Sequence, residues 1–135
     1  MTLTEDDINV INDLIENAIA PITARLNVIE GNLCNEIKIV KSRLHNSICS
    51  LREVLVKVPL QNGEFPHSET PETISNMALP GDEGNSWTTE KALALIKEYE
   101  PDYTEDETEQ VYSTRKRAIK LGKLIGVSAM QLSFA

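Results

Sequence analysis

The chain has 135 residues, a net charge of −8 and an aromatic content of only 4%. A chain of this length forms one domain, or a small domain with an extended element. Its acidity argues against a protein that coats nucleic acid through charge alone. No stretch approaches the roughly 18 apolar residues of a membrane-spanning helix. The acidic start of the chain lacks the basic region of a secretory signal peptide, so we expect a cytoplasmic or intracellular protein.

Charge is distributed unevenly along the chain. Residues 1–60 contain 8 acidic and 6 basic residues, whereas residues 61–110 contain 13 acidic and 2 basic ones. Residues 111–135 contain 5 basic residues and no acidic residue. This distribution predicts a nearly neutral first part, an acidic connecting part and a basic end.

An apolar pattern runs from residue 8 to residue 58 in steps of three or four. Such spacing is typical of a coiled coil, whose narrow apolar face must be buried against a partner. The pattern begins with Ile8, Ile11, Ile15 and Ala18. We expect the main oligomer contacts to be made by Ile22, Leu26, Ile29, Leu33, Ile37, Val40, Leu44, Ile48, Leu51, Val54 and Val58.

The number and orientation of the chains in this oligomer stay open, from dimer to tetramer. Several consecutive steps of four depart from a strict heptad repeat and are interpreted as local interruptions of the supercoil. The mixture of Ile and Leu at the apolar positions selects no copy number.

Pro21 divides the predicted coiled-coil region, residues 1–58. Thr4 is a suitable N-cap, followed by acidic residues that favour a helix start. We expect a break or kink near Pro21, with a helix over residues 5–20 and a longer one over 22–58, because proline is unfavourable inside a helix. Gly31 weakens the second helix without ending it. A hairpin folded back at Ala20–Pro21 is the intramolecular alternative.

The two cysteines, Cys34 and Cys49, are too few for a disulfide framework. They lie 15 residues apart in the sequence, which is about 22 Å along a helix, so they cannot bridge within one helix. We expect two reduced thiols. Each lies beside the apolar pattern, and in a parallel dimer each could meet its own copy.

Residues 59–86 predict a flexible acidic linker. They contain four prolines and three glycines without apolar periodicity, a composition typical of linkers. His67 has no second His or Cys near it in the sequence, so no metal site is expected there. A short recognition segment at residues 74–79 is the alternative to a solvated linker.

Residues 87–135 predict a small three-helix module. The first helix starts after Ser86 or Thr88 and ends at Pro101. The second spans about 105–125, after a possible capping box at residues 104–107, with Gly126 as its C′ residue. The third covers about 128–134. The first helix holds Ala92, Leu93, Leu95 and Ile96, and the third carries Met130, Leu132 and Phe134. We expect the second helix to turn Val111, Ala118, Leu121 and Ile125 inward, with Trp87 and Tyr112 as the aromatic fillers.

The sequence contains no pattern that predicts catalysis. It has no His or Cys pairs at metal-ligand spacing and no glycine-rich phosphate loop. Its two histidines, His45 and His67, are not part of any catalytic constellation. We therefore expect a protein that is not an enzyme and that needs no metal or cofactor.

Residues 121–133 resemble the turn of bacterial helix-turn-helix regulators. Gly122, Gly126, Val127, Ser128 and Leu132 occupy the places where those proteins have small, turn and apolar residues. The resemblance implies a dimeric DNA-binding regulator that uses residues 114–135, with the nearby bases on phosphates and Gln131 on a base. The would-be recognition helix is short, and the same letters suit an ordinary helix–glycine–helix turn, so this is the alternative function.

The whole layout resembles the carboxy-terminal half of phosphoproteins from non-segmented negative-strand RNA viruses. In those proteins a coiled coil, a linker and a small three-helix module tether a polymerase to nucleoprotein. The resemblance implies an oligomeric coiled-coil adaptor that holds a partner protein through residues 87–135, either as a viral polymerase cofactor or as a virion-associated protein. It is expected to span no membrane. The expected partner-binding residues are Arg115, Lys116, Arg117, Lys120 and Lys123.

Overall fold

A computed structural model of the chain describes residues 2–105 and 113–134, and within them all regular structure is helical. The helices are α1 (Glu5–Ser47), α2 (Ile74–Ala78), α3 (Thr89–Tyr99), α4 (Ser113–Ile125) and α5 (Ala129–Ser133). The predicted all-α fold class is confirmed. The chain divides into two compact units, Met1–Cys34 and Asn35–Ala135. The first unit is the amino-terminal part of α1.

Helix α1 begins with a reciprocal cap and continues through Pro21. The Asp7 amide donates to Thr4 Oγ1 at 3.1 Å, and the Thr4 amide donates to an Asp7 carboxylate oxygen at 3.1 Å. Pro21 lies inside the helix. The two helices predicted on either side of Pro21 are therefore one helix, which corrects the predicted break and the hairpin alternative, while a kink at Pro21 stays a prediction. A proline removes one backbone donor, and a helix of 43 residues retains its other bonds on both sides of it.

Helix α1 ends at Ser47, not at residue 58 as predicted. The amides of Ile48 and Cys49 donate three residues back, to the carbonyls of His45 and Asn46, in a tight turn that closes the helix. The chain then leaves the helix axis, and Leu55 and Val58 enter the core of the second unit with 8% and 1% exposure. The apolar spacing continues through this segment, but the helix does not.

Residues 59–86 pack into the second unit, which corrects the prediction of a flexible linker. Ile74 and Met77 on α2 are fully buried, and Pro66 and Pro71 are buried as well. The segment is tied down by backbone bonds from the Leu55 amide to the Glu72 carbonyl and from the Ser75 amide to the Leu51 carbonyl. Its prolines and glycines form turns that fold a non-helical chain back onto the core.

The predicted carboxy-terminal helices are confirmed where they are described. Thr88 caps α3, and Gly126 ends α4 with a φ of 93°. Added side-chain atoms at Gly126 would overlap the backbone of Arg43, so glycine is required for space as well as for conformation. Val111, Tyr112 and the end of the proposed 104–107 capping box lie outside the described residues.

The core of the second unit draws on α2, α3, α4, α5 and the segment that follows α1. Its buried apolar residues are Cys49, Leu55, Val58, Ile74, Met77, Trp87, Ala92, Leu95, Ile96, Ala118, Leu121, Ile125, Val127 and Leu132. Trp87, an expected aromatic filler, is 3% exposed. At the end of the chain Leu132 is 5% exposed, whereas Met130 and Phe134 are 70% and 74% exposed.

Candidate assembly surface

An exposed apolar face extends along α1. We call it the α1 stripe and define it by Ile11, Ile15, Ala18, Ile22, Leu26, Ile29, Leu33, Ile37, Val40 and Leu44. The nine larger side chains of the α1 stripe are between 43% and 63% exposed. A contiguous apolar surface of this length on one chain is the usual mark of an interaction site.

The spacing of the α1 stripe is regular. From Ile11 to Leu44 the steps are four, three, four, four, three, four, four, three and four residues. Nine steps over 33 residues average about 3.67, the period of an eleven-residue repeat, which is slightly longer than the 3.6 residues of a helical turn, so the stripe turns slowly around the helix. The consecutive fours, interpreted above as interruptions, therefore belong to a regular pattern.

The last part of α1, residues 35–47, has two faces with different roles. Ile39 packs against the core of the second unit, and Asn46 is fully buried. Ile37, Val40 and Leu44 are 45%, 63% and 62% exposed. Since successive residues turn by about 100° around a helix, the second unit is held by one face and the α1 stripe remains uncovered on another.

Asn46 anchors the end of α1 in the second unit. Its Nδ2 donates to the carbonyls of Val56 at 3.0 Å and Ile125 at 2.8 Å, and its Oδ1 accepts from the Val56 amide at 2.9 Å. The Asn46 carbonyl accepts from Gln131 Nε2 at 3.1 Å. The sequence did not identify Asn46, because one asparagine on a helix carries no spacing signal.

The predicted oligomer contacts divide at the end of α1. Ile48 and Val54 are 76% and 61% exposed, whereas Leu51 is half-buried and Val58 is 1% exposed. Val58 belongs to the core, so it cannot contact a partner without opening the second unit. The candidate surface therefore ends near Ile48.

The five predicted partner-binding bases do not form one uniform face. Arg117 Nε donates to Glu105 at 2.8 Å, and Arg117 Nη1 donates to the Thr89 carbonyl at 3.2 Å. Lys120 Nζ pairs with Glu100 at 2.8 Å. Arg115, Lys116 and Lys123 are exposed. Arg117 and Lys120 therefore contribute to the fold, so the exposed basic surface is smaller than the sequence suggested.

The contacts of Gln131 argue against the DNA-binding role that the helix-turn-helix resemblance implies. Gln131 Oε1 accepts from the Ser128 amide at 2.7 Å, and its Nε2 donates to the carbonyls of Asn46 and Cys49. This capping role occupies the side chain that was expected to contact a base. Helix α5 has only five residues, which gives the duplex-binding hypothesis little support.

A cleft of about 700 Å³ lies within the second unit, beside α4. Its apolar lining includes Ile39, Val58 and Leu124. The Tyr99 hydroxyl donates to the Val58 carbonyl at 2.5 Å, and burial raises the pKa of Tyr99 above its usual value. Glu98, also in the lining, accepts from the amides of His67 and Ser68. These polar groups hold the fold together, and their arrangement offers no nucleophile–base pair.

The two cysteines lie in different environments. Cys34 is exposed on α1, and Cys49 is buried in the core. Burial, with a smaller contribution from the charge of Glu53, raises the pKa of the Cys49 thiol. Both are free thiols, and Cys34 is the more accessible one for cross-linking.

None of the described helices combines the length and the apolar content that crossing a bilayer requires. Within residues 2–105 and 113–134, no group of three or more His, Cys, Asp or Glu side chains is placed to hold a metal ion. Comparison with known protein families, curated proteins and solved structures finds no match.

Proposed function

We propose that this protein is a homo-oligomeric adaptor that assembles through α1 and presents its second unit to a protein partner. The observation that carries the proposal is the uncovered α1 stripe. It continues through residues 35–47, where the opposite face of the same helix already holds the second unit. An apolar face with this period can be buried against a helix whose apolar residues have the same period. A second copy of α1 is such a helix.

Burial of the α1 stripe supplies the free energy for assembly. Covering a Leu, Ile or Val side chain contributes about 1.5–3 kcal/mol, before the entropy cost of association. The second unit has its own core, so it folds without using the α1 stripe. The surface that forms the oligomer is therefore separate from the surface of the second unit that binds the partner.

The experiment for the assembly surface is a double substitution, Val40→Asp with Leu44→Asp. We expect the mass of the full chain in multi-angle light scattering to fall to the monomer value of 15.0 kDa. The thermal transition of the second unit should persist, because neither side chain belongs to its core. The matched control is Asn17→Asp with Ala24→Asp, which adds two acidic groups at exposed positions on the side of α1 opposite the α1 stripe. An oligomer that survives the first pair would refute the proposal.

For the partner-binding surface we propose the exposed bases Arg115 and Lys123. A protein partner that recognises them should carry acidic groups. Reversing both charges should remove that partner while leaving the oligomer mass unchanged. The resemblance to viral phosphoproteins stays a prediction about the partner's identity, as does the expected location in a virion.

A further inference from the structure

We infer that two copies of α1 pair in antiparallel orientation, with the two-fold axis at the level of Asn27 and Val28. This inference rests on the proposed self-assembly through the α1 stripe and specifies the orientation of its partner. The first supporting observation is the symmetry of the spacing. From Ile11 to Leu44 the steps four, three, four, four, three, four, four, three and four are the same in both directions along the helix, whereas Ile8, the preceding apolar residue, falls level with Ser47 and has no apolar counterpart.

A stripe with this symmetry matches its own reverse. When Ile11 of one copy lies level with Leu44 of the other, the remaining members also meet one another. At successive levels along the pair, residues of one copy lie opposite residues of the other: Ile15 opposite Val40, Ala18 opposite Ile37, Ile22 opposite Leu33, and Leu26 opposite Ile29. A parallel, in-register pair would also align the stripe, so the spacing permits the antiparallel pair and a second property must select it.

The charge distribution along α1 selects the antiparallel pair. Residues 8–19 contain two acidic residues, Asp13 and Glu16, and no base. Residues 36–47 contain Lys38, Lys41, Arg43 and one acidic residue, which gives a net charge of +2. The antiparallel register places these two segments at the same level, so opposite charges face each other. A parallel pair places two acidic segments side by side, where they repel.

One pair of residues illustrates the complementarity. Glu16 and Lys41 are 25 residues apart, so they lie within about 20° of each other around the helix and on the same flank of the α1 stripe. In an antiparallel pair the same flanks of the two helices meet. Lys41 of the second copy then lies two residues from the level of Glu16. The helix dipole accounts for the acids in the first turn of α1, but it does not account for Asp13 and Glu16, which lie beyond that turn.

The orientation determines where the second units are carried. Leu44 of each copy then lies level with Ile11 of the other copy, so the two Asn46 anchors belong to opposite ends of the paired helices. The anchored ends of the two helices are therefore remote from each other. Such an adaptor holds two partner molecules apart.

The test is disulfide cross-linking of full-length chains that carry Cys34→Ser to remove the exposed native thiol. One chain has Ile11→Cys and a differently tagged chain has Leu44→Cys; the two are mixed and oxidised with diamide. The antiparallel pair predicts that the mixed product exceeds the Ile11→Cys self-product by at least tenfold. Dominant self-products of each single variant would show a parallel pair and overturn the inference.

A second measurement uses the native Cys34 and leaves the α1 stripe unchanged. In the antiparallel register the two Cys34 residues are separated by about 13 residues along the axis, or about 20 Å, too far for a disulfide. Oxidation of the wild-type chain should therefore leave the oligomer uncross-linked, whereas rapid Cys34–Cys34 linkage would contradict the inference. Sedimentation in parallel separates the two proposals: a monomer mass would overturn self-assembly itself, and an oligomer with the wrong cross-links would overturn only the orientation.

Discussion

Leu44 and Asn46 lie two residues apart on α1, yet 62% of Leu44 is exposed and Asn46 is fully buried. One turn of helix therefore serves two surfaces. Asn46 fastens α1 to the second unit through its side-chain amide, and Leu44 continues the α1 stripe on a different side.

Replacement of Asn46 by Ala should destabilise the second unit by about 2–4 kcal/mol. It leaves the Val56 amide and the carbonyls of Val56 and Ile125 without their partner, and each unsatisfied buried group costs about 1–3 kcal/mol. Urea denaturation followed by circular dichroism measures the loss. Asn32→Ala, at an exposed position of α1, is the control and should change the transition little. Equal transitions for the two variants would show that the Asn46 bonds contribute nothing.

Truncation of the core at Leu121 should cost about 2–5 kcal/mol, because Leu→Ala in a closed core removes apolar contacts and leaves a cavity. Leu121 is 0% exposed in α4, whereas Met130 in α5 is 70% exposed. Met130→Ala should therefore leave the midpoint of urea denaturation nearly unchanged. A larger effect at Met130 than at Leu121 would contradict the placement of α4 and α5.

Charge reversal should reduce the stability of the fold more at Arg117 than at Arg115. Arg117→Glu breaks the pair with Glu105 and the bonds to Thr89, and we expect a loss of about 1–3 kcal/mol in the free energy of unfolding. Arg115→Glu acts on an exposed side chain and should alter stability by less than about 0.5 kcal/mol. Thermal denaturation of the two variants provides the comparison. If Arg117→Glu and Arg115→Glu have the same melting temperature, the Arg117–Glu105 pair has no structural role.

The second unit should lose stability in acid through Glu98. The Ser68 hydroxyl donates to Glu98 Oε1 at 2.6 Å, and this bond, with smaller help from the amides of His67 and Ser68, holds the pKa of Glu98 below its usual 4.5. A carboxylate with a lowered pKa in the folded state contributes stability at pH values above 4.5. That contribution is lost as the pH falls through the folded-state pKa.

Glu98→Gln tests this acid dependence. The variant should melt a few degrees below the wild type at pH 7, and the gap should close as the pH is lowered below about 4.5. Glu90→Gln, at an exposed position of the same helix, should have the melting temperature of the wild type at every pH. If the two melting temperatures differ by the same amount from pH 7 to pH 3, the charge of Glu98 does not contribute to the stability of the second unit.

The sequence predicted most helix positions because their signals are local. Thr88, Gly126 and Ser128 act as caps at the ends of their helices, and each is recognisable from its residue type and neighbours. The α1 stripe was also predictable, since an apolar period over more than 30 residues is unambiguous.

Two features were not predictable because they depend on tertiary contacts. Leu51, Val54 and Val58 continue the helical spacing of α1 by position, but the second unit uses Val58 as a core residue. The turns of residues 59–86 have the composition of a linker, and only the burial of Ile74 and Met77 distinguishes them from one. Likewise, nothing in the sequence separates Arg117 and Lys120, which pair within the fold, from Arg115, which is exposed.

The central claim, that α1 assembles with a copy of itself, is tested most directly by sedimentation equilibrium of the wild-type chain over a hundredfold range of concentration. We predict an average mass that rises with concentration to at least twice the 15.0 kDa of one chain, because dilution dissociates the oligomer. A mass of 15.0 kDa at every concentration would contradict it, because the α1 stripe would then remain exposed to water in the native protein.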